Sequence, residues 1–124
     1  MIESVVRGPD GILAAGRAGQ IVVDLSTAAP ASSVALHADL AARQIEFLDA
    51  GISGGAAAAE RGTLTLMVGG SPAVLDSVAW VVQPLAAKVV HMGPPGAGHL
   101  TKLLNSFLNA VSLAASAEVM VAAR

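Results

Sequence analysis

Three stretches of this 124-residue sequence carry side chains whose types and spacing could do chemistry. The first surrounds Lys102. On a helix, His99, Lys102, Asn105, Ser106, Asn109, Ser112 and Ser116 fall within an arc of roughly 140°. Leu100, Leu104, Phe107, Leu108 and Val111 take the opposite side. An ordinary solvated face is richer in Glu, Lys and Arg. One cation among small neutral polar groups suits a semi-dry site in which a lysine gives or takes a proton. Periodicity alone favours a plainer reading, a helix packed through small residues with the lysine stem reaching out to water.

The second stretch is Gly51-Ile52-Ser53-Gly54-Gly55. Glycines let the backbone aim its N–H groups at one point, and Ser53 adds a hydroxyl. That suits a carboxylate or phosphate oxygen, but a flexible loop tip has the same composition. The third is Asp24-Leu25-Ser26-Thr27, with Pro30 following. Hydroxyls at a strand end stand where open α/β sheets bind ligands, or simply cap a turn. Gly93-Pro94-Pro95-Gly96-Ala97-Gly98 runs G-x-x-G-x-G rather than G-x-G-x-x-G, and its two prolines remove donors. It reads as a hinge into the long helix that carries Lys102.

Composition narrows the classes. Hydrophobic residues make up 54% and charged residues 13%, too apolar for disorder. Aromatics are only 2%, poor material for stacking bases. A net charge of −2 leaves no basic footprint, so nucleic-acid partners are not expected. The absence of cysteine excludes disulfides and thiolate catalysis. His37, His91 and His99 lack metal-ligand spacing, so no metal site is expected. Glu3 and Arg7 interrupt any signal-peptide core, which makes the cytoplasm the default compartment. The most apolar window, Leu103 to Ala123, contains Asn105, Asn109 and Glu118; these make insertion costly, and no membrane partner is expected.

The elements that must position these groups follow from the apolar runs. Ile21–Leu25, Ile45–Asp49, Thr63–Val68 and Ala87–His91 read as four short strands. Ser32 or Ser33 is placed as the cap of a helix running to about Arg43, with Val34, Leu36, Leu40 and Ala41 on its apolar face. Ser71-Pro72 opens a helix to about Val82, and a long helix begins near Ala97 and is still running at Arg124. Strands alternating with crossovers of ten or more residues imply an α/β fold with a mostly parallel sheet. Both ends look cut, so the chain is read as part of a longer protein.

Taken together and in order, these segments resemble the β-hydroxyacid dehydrogenase family, which includes 3-hydroxyisobutyrate dehydrogenase, tartronate semialdehyde reductase and, more distantly, 6-phosphogluconate dehydrogenase. Asp24-Leu25-Ser26-Thr27 with Pro30 looks like its D-x-S-T-x-x-P segment. Phe47-Leu48-Asp49-Ala50, Ser53-Gly54-Gly55, Ala59-Glu60, Gly62-Thr63-Leu64 and Met67-Val68-Gly69-Gly70 look like its substrate-binding stretch, and Gly96-Ala97-Gly98 with Lys102 and Asn105 like its catalytic segment. The resemblance implies the C-terminal half of a Rossmann-type NAD(P)-binding domain over residues 1–95. Residues 96–124 would then begin the long interdomain helix leading into an all-helical domain.

The resemblance also implies roles. Lys102 would be the general acid/base. Ser53, Gly54 and Gly55 would hold the substrate carboxylate, with Asn105 and Ser106 close by. Ser26 and Thr27 would lie at the nicotinamide end of NAD or NADP. The partner would be a small hydroxyacid or semialdehyde, and the full-length protein a homo-oligomer. Without the upstream Gly-rich fingerprint, the isolated chain is expected to bind NAD(P) poorly and turn over little. Three departures stand out. Gly51-Ile52 replaces the usual Pro-Val, Ala58 stands where Gly is common, and Ser106 stands where the family has a second asparagine. The competing readings are an imine reductase relative, which generally lacks the lysine, a non-catalytic α/β module binding a small acid, and a membrane-associated helical protein.

Overall fold

The β-branched runs form the sheet. In the computed structural model, which describes residues 1–123, strands β1 (Ile21–Asp24), β2 (Glu46–Ser53), β3 (Leu64–Gly69) and β4 (Ala86–Gly93) lie side by side in the order β1-β2-β3-β4. β1 and β2 are parallel, as are β3 and β4, but β2 and β3 run antiparallel, with Ser53 opposite Thr65. The sheet is therefore mostly, not wholly, parallel. The reversal arises between β2 and β3, where the connection folds back through one short helix, α4 (Gly55–Glu60).

Two short helices that the hydrophobic pattern did not suggest, α1 (Ile2–Arg7) and α2 (Ile12–Ala15), precede β1. The next helix, α3, spans Pro30–Ala41 and starts before either serine proposed as its cap. Pro30 occupies the first turn, where its missing N–H costs nothing. Ser33 is left inside the helix and fully buried, whereas Val34 and Ala41, expected on the apolar face, are exposed. Ser71 does cap the following helix, accepting from the Val74 amide at 3.5 Å. That helix breaks at Val78 (φ −104°, ψ 9°) into α5 (Pro72–Ser77) and α6 (Ala79–Val82), rather than running unbroken. A 3₁₀ turn at Gln83–Leu85 leads into β4.

Alternation along β2 sorts the core into two layers. Leu48 and Ala50 face a cluster with Leu66, Val68, Val78 and Val82. Ile45 and Phe47 face Val6, Leu36 and Leu40 on the other side. Asp49, Gly51 and Ser53 continue the Phe47 row, which is the side on which α7 (Ala97–Ala122) crosses β2 and β3. Only the first turns of α7 are covered. Its expected apolar side points outward, with Phe107 66% and Leu108 63% exposed. By length and composition α7 is the one helix among the described residues apolar enough to cross a membrane. The reading that the helix runs through Arg124 concerns a residue outside the described ones.

Candidate functional site

The N-terminus of α7 sits on sheet backbone, and glycine makes that approach possible. A methyl group added at Gly98 would strike the carbonyl oxygens of Asp49 and Met67. One at Gly51 would strike the Lys102 Cβ. The helix therefore rests on β2 and β3 with no side-chain layer between them.

A helix start leaves amide donors without partners, and Gly96 at the N-cap has no side chain to satisfy them. Asp49 satisfies two of them from β2. Its Oδ1 accepts from the Gly96 amide at 2.7 Å and its Oδ2 from the His99 amide at 2.8 Å. The carboxylate is fully buried. Two charge-assisted hydrogen bonds and the positive end of the helix dipole offset the cost of burying it. A second buried link ties α7 to α3, the Ser33 hydroxyl lying 2.7 Å from His99 Nδ1.

One turn beyond Gly98, Lys102 is half-buried and reaches a hollow of about 400 Å³. Thr27, Ile52, Ser53, Gly54, Gly55, Ala56, Ala59 and Leu64 line it with Lys102. Three distant sequence segments thus meet at one place. Gly54 and Gly55 hold φ of 129° and 69°, values that side-chain-bearing residues rarely adopt. They turn the chain abruptly at the end of β2, so that Ser53 and the two glycines border the hollow.

Ser26, Asn105 and Ser106 do not line it. The Ser26 amide instead donates to Asp24 Oδ1 at 2.9 Å, closing the turn that presents Thr27. Asn105 and Ser106 are half-buried further along the face of α7 that carries Lys102. The Lys102 stripe faces the body of the protein only as far as Ser106; Asn109, Ser112 and Ser116 are exposed.

Sequence reasoning named Ser33 only as a helix cap and Asp49 and Gly98 only within longer segments, and gave none of them its observed role. A signal existed for one of them. Asp49 closes an apolar run that reads as a buried strand, and an acid buried there needs a partner. Nothing in the sequence names that partner, because it is backbone from a segment 47 residues away.

Residues 1–93 match the NAD-binding domain of 6-phosphogluconate dehydrogenase. The chain belongs to this family. Among curated relatives, 2-(hydroxymethyl)glutarate dehydrogenase from Eubacterium barkeri is 38% identical over 98% of the chain and 40% of its own length. An NAD-dependent L-serine dehydrogenase from Pseudomonas aeruginosa is 39% identical over 96% of the chain and 40% of its own length. Among solved structures, Mycobacterium tuberculosis 3-hydroxyisobutyrate dehydrogenase with L-serine superposes with a TM-score of 0.89 at 36% identity, covering 96% of this chain and 41% of that one. The chain therefore spans about 40% of the length of these relatives. The sheet and its helices form part of a Rossmann-like NAD-binding fold.

The residues present fit one end of a nicotinamide dinucleotide. Thr27 stands at the hollow beside the C-terminal end of β1, the usual ligand-binding edge of such sheets. A G-x-G-x-x-G turn for the diphosphate is not in this sequence.

Proposed function

We propose that this chain supplies the acid-gripping and proton-transferring part of an NAD(P)-dependent dehydrogenase acting on a small β-hydroxyacid. The observation that carries the reading is the shared hollow of Lys102, Ser53, Gly54, Gly55 and Thr27. The names of the relatives support it, since each is a dehydrogenase of a small hydroxyl-bearing acid.

The chemistry follows from the residue types. A carboxylate is held by the Ser53 hydroxyl and the turn at Gly54-Gly55. This leaves the hydroxyl-bearing carbon between that turn and Lys102. When bound, the nicotinamide supplies the hydride acceptor or donor, beside Thr27. In oxidation the Lys102 amine, neutral at that moment, takes the hydroxyl proton. In reduction its ammonium polarises the carbonyl and returns the proton. Leu64, Ile52, Ala56 and Ala59 give the hollow its apolar wall. Asn105 and Ser106 continue the face of α7 that carries Lys102 and would meet only a substrate that extends beyond the hollow.

Lys102→Ala in the full-length parent assayed with NAD⁺ or NADP⁺ is expected to lower kcat by about 10²–10⁴-fold. Activity within a few-fold of wild type would remove the assigned role. Run in the reducing direction with NADH or NADPH, the assay distinguishes the competing chemistry: reduction of a cyclic imine but of no keto or semialdehyde acid would make the protein an imine reductase.

A further inference from the structure

The buried contacts at the start of α7 do more than close a helix. We propose that Asp49 is a positioning residue for Lys102. The inference rests on the dehydrogenase reading in its kinetic consequences, but its structural basis is independent of it.

Three observations carry it. The Asp49 carboxylate is fully buried and each of its oxygens holds one amide of the α7 N-terminus, at Gly96 and His99. Two bonds from one rigid strand residue fix both the height of the helix on the sheet and its rotation about its own axis. Rotation matters, because Lys102 lies three residues after His99, on the same face. Asp49 and Gly51 also stand on the same side of β2, two residues apart, and Lys102 Cβ seats on Gly51. Strand and helix are therefore in register at two points one helical turn apart. The first is polar and made by Asp49; the second is steric and made by Gly51. Beyond them the strand ends at Ser53 and the hollow opens. A swing of α7 about its first turn would carry the Lys102 amine away from the Ser53–Gly55 turn. No side chain of α7 replaces Asp49 in this role: the N-cap is glycine, and the first turn holds no acidic residue.

Asp49 touches neither the hollow nor its lining. It acts through backbone alone, so its loss should leave the acid-gripping turn intact while displacing the proton-transferring group. A purely structural residue would lower stability without separating these two effects.

The chain contains two lysines, Lys88 and Lys102, which makes the displacement directly visible. Reductive methylation with carbon-13 formaldehyde labels both amines and the amino terminus. Lys88 is exposed and serves as the internal reference. In folded Asp49→Asn, the Lys102 methyl resonance is expected to move more than halfway toward that of Lys88. In the unmethylated full-length parent, kcat for 3-hydroxyisobutyrate or L-serine should fall at least tenfold while KM stays within threefold. Leu40→Ala, a core change in the layer between α3 and β2, is the control for destabilisation. It should leave both the resonance and kcat in place.

An unmoved Lys102 resonance in folded Asp49→Asn would overturn the proposal, as would an equal movement in Leu40→Ala. Asp49→Ser is the second variant. If neither Asp49 variant folds, Asp49 is a folding residue and the positioning role falls. If the wild-type full-length parent turns over no hydroxyacid but the resonance moves as expected, the dehydrogenase reading fails while the positioning of Lys102 by Asp49 stands.

Discussion

Lys102 Cβ rests directly on Gly51, so closely that no side chain fits between them. The amine that reaches the hollow is therefore set at a depth determined by the absence of a single methyl group.

Gly51→Ala tests that relationship. The added Cβ would meet Lys102 Cβ, with the Gly98 carbonyl oxygen of the same helix 3.0 Å away. Helix and strand must separate. Overpacking of this kind costs about 1–3 kcal/mol. Urea denaturation should show the loss in stability, and kcat should fall with it, because α7 is lifted from β2. A variant as stable and as active as wild type would mean that the helix is free to shift.

Lys102→Arg separates proton transfer from charge. Arginine keeps the positive charge but stays protonated at any accessible pH. Oxidation of a hydroxyacid should therefore be lost to about the same extent as in Lys102→Ala, while affinity for the acid falls less. Steady-state kinetics of both variants decide the matter. Near-normal turnover by the arginine variant would reduce Lys102 to an electrostatic anchor.

Ser33→Ala removes the buried partner of His99 Nδ1. An unsatisfied buried polar group costs about 1–3 kcal/mol. The loss should appear in the denaturation midpoint. By contrast, Arg7→Ala breaks an exposed pair with Asp39, where Arg7 Nε lies 2.7 Å from the carboxylate, and a looser one with Glu3 at 3.7 Å. Exposed pairs of this kind contribute about 0–1 kcal/mol, so the two variants should differ clearly in the same titration.

Ser106→Asn probes the most consequential departure from the family pattern. Ser106 shares the face of α7 with Lys102 but does not reach the hollow. Asparagine is longer and carries both a donor and an acceptor. KM for the hydroxyacid is expected to fall several-fold at nearly constant kcat. An unchanged KM would place position 106 outside the substrate's reach.

The sequence by itself determined which segments become strands, because short runs such as Ile21-Val22-Val23 and Leu64-Thr65-Leu66-Met67-Val68, rich in branched side chains and bounded by turn residues, favour the extended backbone. It also marked Lys102, the Ser53–Gly55 turn and Thr27, since lysine in a neutral stripe and paired glycines are local features. It showed that α7 has two unlike faces, but not which one turns inward. The polar face does, because the sheet surface beneath it offers glycine backbone and the Asp49 carboxylate rather than an apolar floor. The antiparallel pairing of β2 with β3 was likewise illegible, since strand direction depends on how a connection folds back and not on its length. Likewise only tertiary structure gave Asp49 and Ser33 their partners. A hydrogen bond between residues 47 or 66 positions apart leaves no periodicity in the chain. It exists only once α7 has been laid across β2 and against α3.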